Sequence, residues 1–181
     1  VNVYHAIKLG LKDYFEKNGF TRACLGLSGG IDSAVVVAIA ADVLGPENVR
    51  VLMMPSQFSS DHSVDDALKL AENLGIEYDI VPITETYTTV MKAMRPVFGD
   101  LPFDVAEENI QARIRGLMMM AVSNKFGHIL LNTTNKSEMA VGYGTLYGDT
   151  NGSISLLGDL YKSEVFDLAR YINRDRQIIP V

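Results

Sequence analysis

The stretch that most constrains this 181-residue chain is Ala23-Cys24-Leu25-Gly26-Leu27-Ser28-Gly29-Gly30-Ile31-Asp32-Ser33-Ala34, an apolar run that passes through a small-residue turn into a second apolar run. The first run has the content of a core strand. The second, from Asp32 to about Leu44, carries Ala, Val and Ile on nearly every side and reads as a helix buried all round. Ser28, Gly29 and Gly30 leave little side-chain bulk over the backbone, so successive N–H groups can point at an anion where the helix dipole is positive. Such turns often use positive φ, which glycine tolerates and branched residues do not.

Two familiar phosphate loops do not fit. A Walker loop needs Gly-x-x-x-x-Gly-Lys-Ser/Thr, and no lysine lies between Lys17 and Lys69. A dinucleotide fingerprint needs Gly-x-Gly-x-x-Gly, and Gly26 with the Gly29-Gly30 pair has the wrong spacing. What remains, Ser28-Gly-Gly-Ile-Asp-Ser33, resembles the pyrophosphate loop of the ATP pyrophosphatases, enzymes that split ATP into AMP and pyrophosphate. The competing reading is an ordinary Gly-rich strand-to-helix turn; Ser, Gly, Gly, Asp and Ser in register after a strand favour the phosphate loop.

The rest of the chain alternates helix and strand. Apolar spacing predicts a helix over residues 3 to 18, stopped by Gly19, then strands at Arg22 to Leu27, Val49 to Met54 (closed by Pro55) and Glu77 to Val81. Ser59, Ser60 and Asp61 offer caps for a helix reaching Leu74 and Gly75. A helix from about Glu85 to Met94 is expected to end at Pro96, and Asp104 to cap a long helix from Val105 to Lys125. On that helix Ile110, Ile114, Leu117, Met118 and Ala121 are expected to face the core, with Met119, Met120 and Val122 pointing elsewhere. A fourth strand at His128 to Asn132 and a helix from Lys162 to Asn173 follow. This order requires parallel pairing with right-handed crossovers, hence an α/β fold with a doubly wound parallel sheet flanked by helices. Its ligand crevice lies at the carboxyl ends of the strands, where Ser28, Pro55 and Thr133 emerge.

Composition narrows what such a crevice serves. The chain carries 16 Lys and Arg against 22 Asp and Glu, a net charge of −6, with no basic cluster to displace counterions from nucleic acid. Anionic nucleotides must then be held by backbone amides, metal ions and a few placed cations. Its length suits one core and one domain over residues 1–181. The single Cys24 permits no internal disulfide, and buried in a strand it is a poor nucleophile. With no signal peptide and no apolar run of membrane-spanning length, the expected compartment is the cytoplasm, away from any membrane.

A second chemical stretch begins at the fourth strand's end: Asn132-Thr133-Thr134-Asn135-Lys136-Ser137-Glu138, then Gly142-Tyr-Gly-Thr-Leu-Tyr-Gly-Asp149. Taken alone it reads as readily as a solvated loop with a capped helix. Opposite the phosphate loop, Glu138 and Asp32 could hold Mg²⁺, which is commonly bound through one or two carboxylates plus substrate phosphates. Asp149 could order its own turn or touch substrate, and Tyr143 and Tyr147 could line the crevice or pack it. Arg115 is expected to pair with Glu107, Glu108 or another surface acid. His5, His62 and His128 form no motif.

Together with Ser28–Ser33, the segments Glu108-Asn-Ile-Gln-Ala-Arg-Ile-Arg115, Asn135-Lys-Ser-Glu138, Gly142–Asp149 and Asp159-Leu-Tyr-Lys162 occur in the order and approximate spacing of NAD synthetases. The wording is most similar to the synthetase domain of the glutamine-dependent enzymes. The resemblance implies an adenine nucleotide alpha hydrolase-like, Rossmann-like fold. It also implies amidation of deamido-NAD through an adenylated intermediate, with nitrogen from ammonia or channelled from glutamine. By the same resemblance Gly26, Leu27, Ser28, Gly29, Gly30, Ile31, Asp32, Ser33, Thr133 and Lys162 hold ATP. Asn109, Arg113 and Glu138 meet deamido-NAD, and Asp32 and Glu138 hold Mg²⁺. Leu146 and Ser153 stand where ammonia-dependent members carry a lysine and an aspartate. A homodimer through the helix bearing Asn109 and Arg113 is implied, as is a single domain without the family's C-terminal tail or a glutaminase domain. Two alternatives stay open: an ATP-binding module of a larger synthetase, and an ATP pyrophosphatase with another acceptor.

Overall fold

The computed structural model describes residues 2–57, 59 and 61–180. Helix α1 (Asn2–Asn18) leads to β1 (Ala23–Gly26), α2 (Ile31–Leu44) crosses to β2 (Val49–Met53), and α3 (Asp61–Leu74) crosses to β3 (Glu77–Ile80). Helices α4 (Thr84–Phe98) and α5 (Val105–Phe126) precede β4 (Ile129–Asn132). A short α6 (Lys136–Val141), β5 (Ile154–Ser155) and α7 (Lys162–Ile172) follow. The expected caps at Ser60 and Asp61 involve side chains outside the described residues.

All strands pair in parallel, in the order β3-β2-β1-β4-β5. The chain therefore winds outward from β1 to β3 and returns to the other side of β1, which makes the β1/β4 boundary the point where strand order reverses. The sequence predicts four strands. The fifth has only Ile154 and Ser155, opposite Leu131 and Asn132, too short to show an alternation.

The residues of β2, with Met54 that follows it, divide between two cores. Val49, Val51 and Met53 meet the core that α1, α2, α3 and α7 cover, while Leu52 and Met54 meet a smaller one under α4 and α5. Helix α2 packs on β1 and β2 and is itself covered by α1, α3 and α7, so every residue from Ser33 to Ala41 is buried. This is why its sequence has no polar face. Cys24 is fully buried in β1, and burial pushes its thiol up to about 11, in keeping with an inert residue.

Two local expectations need correction. Helix α4 runs past Pro96 to Phe98 and ends at Gly99, at φ +60°, whose N–H meets the Arg95 carbonyl at 3.0 Å. A proline this near the end forfeits one hydrogen bond but keeps helical φ, so the glycine sets the stop. On α5, Asp104 caps as expected and forms a capping box with Glu107, but the core face is rotated. Leu117 is 67% exposed and Ala121 is exposed, whereas Ile110, Ile114, Met118, Met119 and Val122 serve the smaller core. With every residue from Leu117 to Val122 apolar, the spacing leaves the phase of the stripe open. Contact with β1 decides it: the Met119 sulfur sits 2.8 Å from where a Cβ on Gly26 would stand.

At the sheet's opposite end, His128 is 5% exposed and neither ring nitrogen has a hydrogen-bond partner. Burial, then the Arg22 and Arg50 charges, lower its pKa, with Glu77 opposing. The folded state thus binds the His128 proton only at lower pH than the unfolded chain does. Stability from the neutral ring is present above the ordinary value near 6.5 and is lost as pH falls through the folded-state value. Denaturant titrations across this range are expected to show a shallower acid loss for His128→Leu than for the parent chain. Equal slopes would assign the acid sensitivity elsewhere.

Candidate functional site

The phosphate loop leaves β1 at Gly26, and the Leu27 N–H meets the Leu52 carbonyl at 2.9 Å, so the chain stays in register with β2 as it enters the turn. Positive φ is confined to Gly29, at +80°; Gly30 is extended at −84°. A Cβ on Gly29 would lie 2.3 Å from the Ser63 carbonyl oxygen in the first turn of α3, whereas one on Gly30 would meet only Ser28 Oγ at 3.3 Å. Buried Ser33 braces the turn from behind, its hydroxyl donating to the Gly30 carbonyl at 3.0 Å and accepting from the Ser28 N–H at 3.3 Å. Gly30 N-caps α2 without a side-chain acceptor, which leaves the first-turn N–H groups of Ile31, Asp32 and Ser33 to an anion.

Across the β1/β4 boundary, β4 ends at Asn132, whose side-chain amide donates to the Asp149 and Asn151 carbonyls, both at 2.9 Å. Thr133 follows, half-buried, and then Asn135, which caps α6 in a capping box: Glu138 N–H to Asn135 Oδ1 at 3.1 Å, Asn135 N–H to Glu138 Oε2 at 3.0 Å. The Asn135 amide also donates to Asp32 Oδ1 at 2.9 Å. The Lys162 ammonium pairs with Asp32 Oδ2, delivered there because the start of α7 is pinned to α6. Those pins are Lys162 N–H to Ser137 Oγ at 3.0 Å and Lys136 N–H to the Leu160 carbonyl at 2.8 Å. Asp32, Glu138 and Lys162, three residues singled out in the sequence, thus meet around Asn135. Lys162 is no ordinary surface lysine.

The other predicted pair reaches the loop after α6. Asn109 Oδ1 accepts from Thr145 Oγ1 at 2.7 Å, and Arg113 Nε donates to the Leu146 carbonyl at 3.2 Å. Asp149 orders its own turn, accepting from the Thr145 N–H at 2.6 Å. Tyr143 and Tyr147 are each 75% exposed, so neither is packing. Tyr147 sits at φ +65°, a costly conformation for an aromatic residue and one that clusters at ligand sites. Arg115 does not take a surface acid: its Nε donates to the Met54 carbonyl at 3.0 Å beyond β2, and burial lowers its pKa. Glu107, closing the cap on Asp104, is not its partner.

Sequence reasoning missed the reach of Asn135. Its Asn-x-x-Glu spacing signals a capping box, but nothing local signals a contact with Asp32.

Among the described residues no group of three or more His, Cys, Asp or Glu side chains could hold a metal. A metal at Asp32 and Glu138 would therefore complete its shell from substrate phosphate and water, as Mg²⁺ does in nucleotide sites. The donor type fits, since the two carboxylates are hard oxygen donors held on one scaffold residue; the Lys162 ammonium now paired with Asp32 is a competing cation that a metal there would have to displace.

A family described as NAD synthase matches residues 3–180. The chain belongs to the NAD synthase family. The glutamine-dependent NAD(+) synthetase of Synechocystis sp. is 54% identical over 178 residues, covering 98% of this chain and 32% of its own length. Among solved structures, the glutamine-dependent NAD+ synthetase from Acinetobacter baumannii in complex with ADP superposes with a TM-score of 0.97. It has 46% identity and spans 98% of this chain and 34% of its own. The NH3-dependent NAD synthetase from Campylobacter jejuni subsp. jejuni in complex with nitrate gives 0.87 at 34% identity, covering 98% of this chain and 75% of that one. The fold is thus the adenine nucleotide alpha hydrolase-like α/β fold of the NAD synthases. The chain spans about a third of the length of the glutamine-dependent relatives it matches. No helix of the described residues is long and apolar enough to cross a membrane.

Proposed function

We propose that this chain is an NAD synthase domain that activates the nicotinate carboxylate of deamido-NAD with ATP, releasing pyrophosphate, and lets ammonia displace AMP to form the amide. The observation that carries the reading is the meeting of Asp32, Glu138 and Lys162 around Asn135 at the strand-order reversal, next to the uncapped start of α2. The ADP held by the A. baumannii relative supports the nucleotide assignment.

In this reading the loop from Gly26 to Ser33 holds the ATP phosphates, with the first-turn amides of Ile31, Asp32 and Ser33 turned to them, and Thr133 lies on the nucleotide. Asp32 and Glu138 would hold Mg²⁺, which supplies charge neutralisation on the triphosphate when bound. Lys162, already resting on Asp32, places its ammonium beside the phosphates and stabilises charge on the departing pyrophosphate. Asn109 and Arg113, with Glu138, receive deamido-NAD against the Gly142–Asp149 loop. Ammonia arrives free or from glutamine through a glutaminase domain of the intact protein, which works in the cytoplasm.

A homodimer through α5 is part of the proposal, although the patch that supports it differs from the one expected. Met119 and Val122 pack inward, and the exposed apolar residues are instead Val105 at the start of α5, next in sequence to exposed Leu101 and Phe103, and Leu117 about three turns along the helix. Pyrophosphate release that requires deamido-NAD is the deciding experiment. ATP binding without such release would mark a nucleotide-binding module, and release with another carboxylate alone would mark a different acceptor. Arg113→Ala is expected to weaken deamido-NAD binding about tenfold or more, the loss of one charge-assisted bond, with ATP affinity nearly intact. Isothermal titration with each ligand checks this, and loss of ATP binding with deamido-NAD binding retained would reverse the assignment.

A further inference from the structure

Asn135 has no exposed surface, yet it makes more hydrogen bonds than a helix cap requires. Its Oδ1 takes the Glu138 N–H at 3.1 Å, and its backbone N–H holds Glu138 Oε2 at 3.0 Å; those two bonds are the whole of a capping box. Serine or aspartate would supply the same acceptor. Neither offers, beside that acceptor, a second atom that donates; the Asn135 Nδ2 does, and it reaches Asp32 Oδ1 at 2.9 Å, across 103 positions of sequence. The other Asp32 oxygen carries the Lys162 ammonium, so the carboxylate is held at both ends.

We propose that Asn135 is a positioning residue that sets the separation and orientation of Asp32 and Glu138, and through them the choice of divalent cation. The inference rests on the assignment of these two carboxylates to Mg²⁺ made above. Mg²⁺ demands near-octahedral geometry at 2.0–2.1 Å, while Ca²⁺ tolerates longer and looser shells. A brace on both carboxylates therefore matters more for Mg²⁺. Partners that orient metal-holding groups are commonly worth about 10–100-fold in metal affinity.

The test is titration of an α,β-methylene ATP analogue by calorimetry over a range of Mg²⁺ and, separately, Ca²⁺, with thermal midpoints measured alongside. Asn135→Ser keeps a cap acceptor and deletes the Nδ2 that reaches Asp32. Its midpoint should fall by only a few degrees, while the Mg²⁺ needed for half-maximal analogue binding rises roughly tenfold or more and the Ca²⁺ requirement rises less. Asn135→Asp, isosteric and still a cap, sets an oxygen against Asp32 and should also lower Mg²⁺ preference over Ca²⁺; it serves as the readout if the serine variant does not fold. Equal shifts for both ions, or none, in either folded variant would reduce Asn135 to a helix cap and overturn the inference. Asp32→Asn separates the two levels. If it leaves the metal dependence unchanged, the carboxylate assignment fails; if it shifts the dependence and Asn135→Ser does not, only the role of Asn135 fails.

Discussion

Asp32→Asn and Glu138→Gln are each expected to lower ATP-dependent pyrophosphate release by roughly 10²–10³-fold, the scale on which a single electrostatic contact to transition-state charge acts, while the fold persists. Both substitutions preserve shape and remove charge. Gln at 138 can still accept from the Asn135 N–H, because a capping box is satisfied by Glu or Gln. Asn at 32 still offers an acceptor to the Asn135 amide and loses only the charge that pairs with Lys162. The Lys162 side chain is 42% exposed, so that pair is screened and contributes at most about 1 kcal/mol to stability. A pyrophosphate assay alongside calorimetry of Mg·ATP binding checks the prediction. Normal turnover with undiminished Mg·ATP affinity in both variants would remove these carboxylates from the mechanism.

Gly30→Val is expected to fold and to bind ATP roughly 10²–10⁴-fold more weakly, the cost of two amide-to-phosphate hydrogen bonds at about 1.5–3 kcal/mol each. The backbone at 30 is extended and a Cβ there meets only Ser28 Oγ, so the damage falls on the phosphate approach and not on packing. Gly29→Val differs in kind. Its φ of +80° excludes a branched side chain, and the Ser63 carbonyl stands 2.3 Å from the new Cβ, so α3 or the loop must move. That variant should lose stability and ATP binding together, while Gly30→Ala should keep a near-parental thermal midpoint. A folded Gly30→Val protein with full ATP affinity would sink the phosphate-loop reading.

The contrast between the two glycines shows what a sequence can carry. Ser-Gly-Gly after an apolar strand announces a turn that needs glycine, but which glycine needs positive φ depends on where α3 packs, a long-range fact. The same division runs through the molecule. The parallel sheet, the buried α2 and the Asp104 cap were legible because strand length, uniform apolar content and Asx-x-x-Glu spacing are local signals. The phase of α5 was not, since a run of apolar residues has no preferred face until β1 selects one. Asp32, Glu138 and Lys162 were recognisable one by one from their motifs. That a single buried asparagine joins the two carboxylates, or that Arg115 reaches a strand-end carbonyl, depends on tertiary contacts with no local trace.

Helix α2, enclosed from Ser33 to Ala41, also limits how this fold can be altered. A helix with neighbours on every side has no free position at which volume can change without a matching change in α1, α3, α7 or the sheet. Its small residues, Ala34, Ala38, Ala40 and Ala41, are therefore coupled to four other elements at once. Attempts to redirect the nucleotide preference of such a domain should leave the loop and helix that grip the phosphates untouched. The room for variation lies on the exposed face of the Gly142–Asp149 segment, where Tyr143, Leu146 and Tyr147 can be exchanged without disturbing a core.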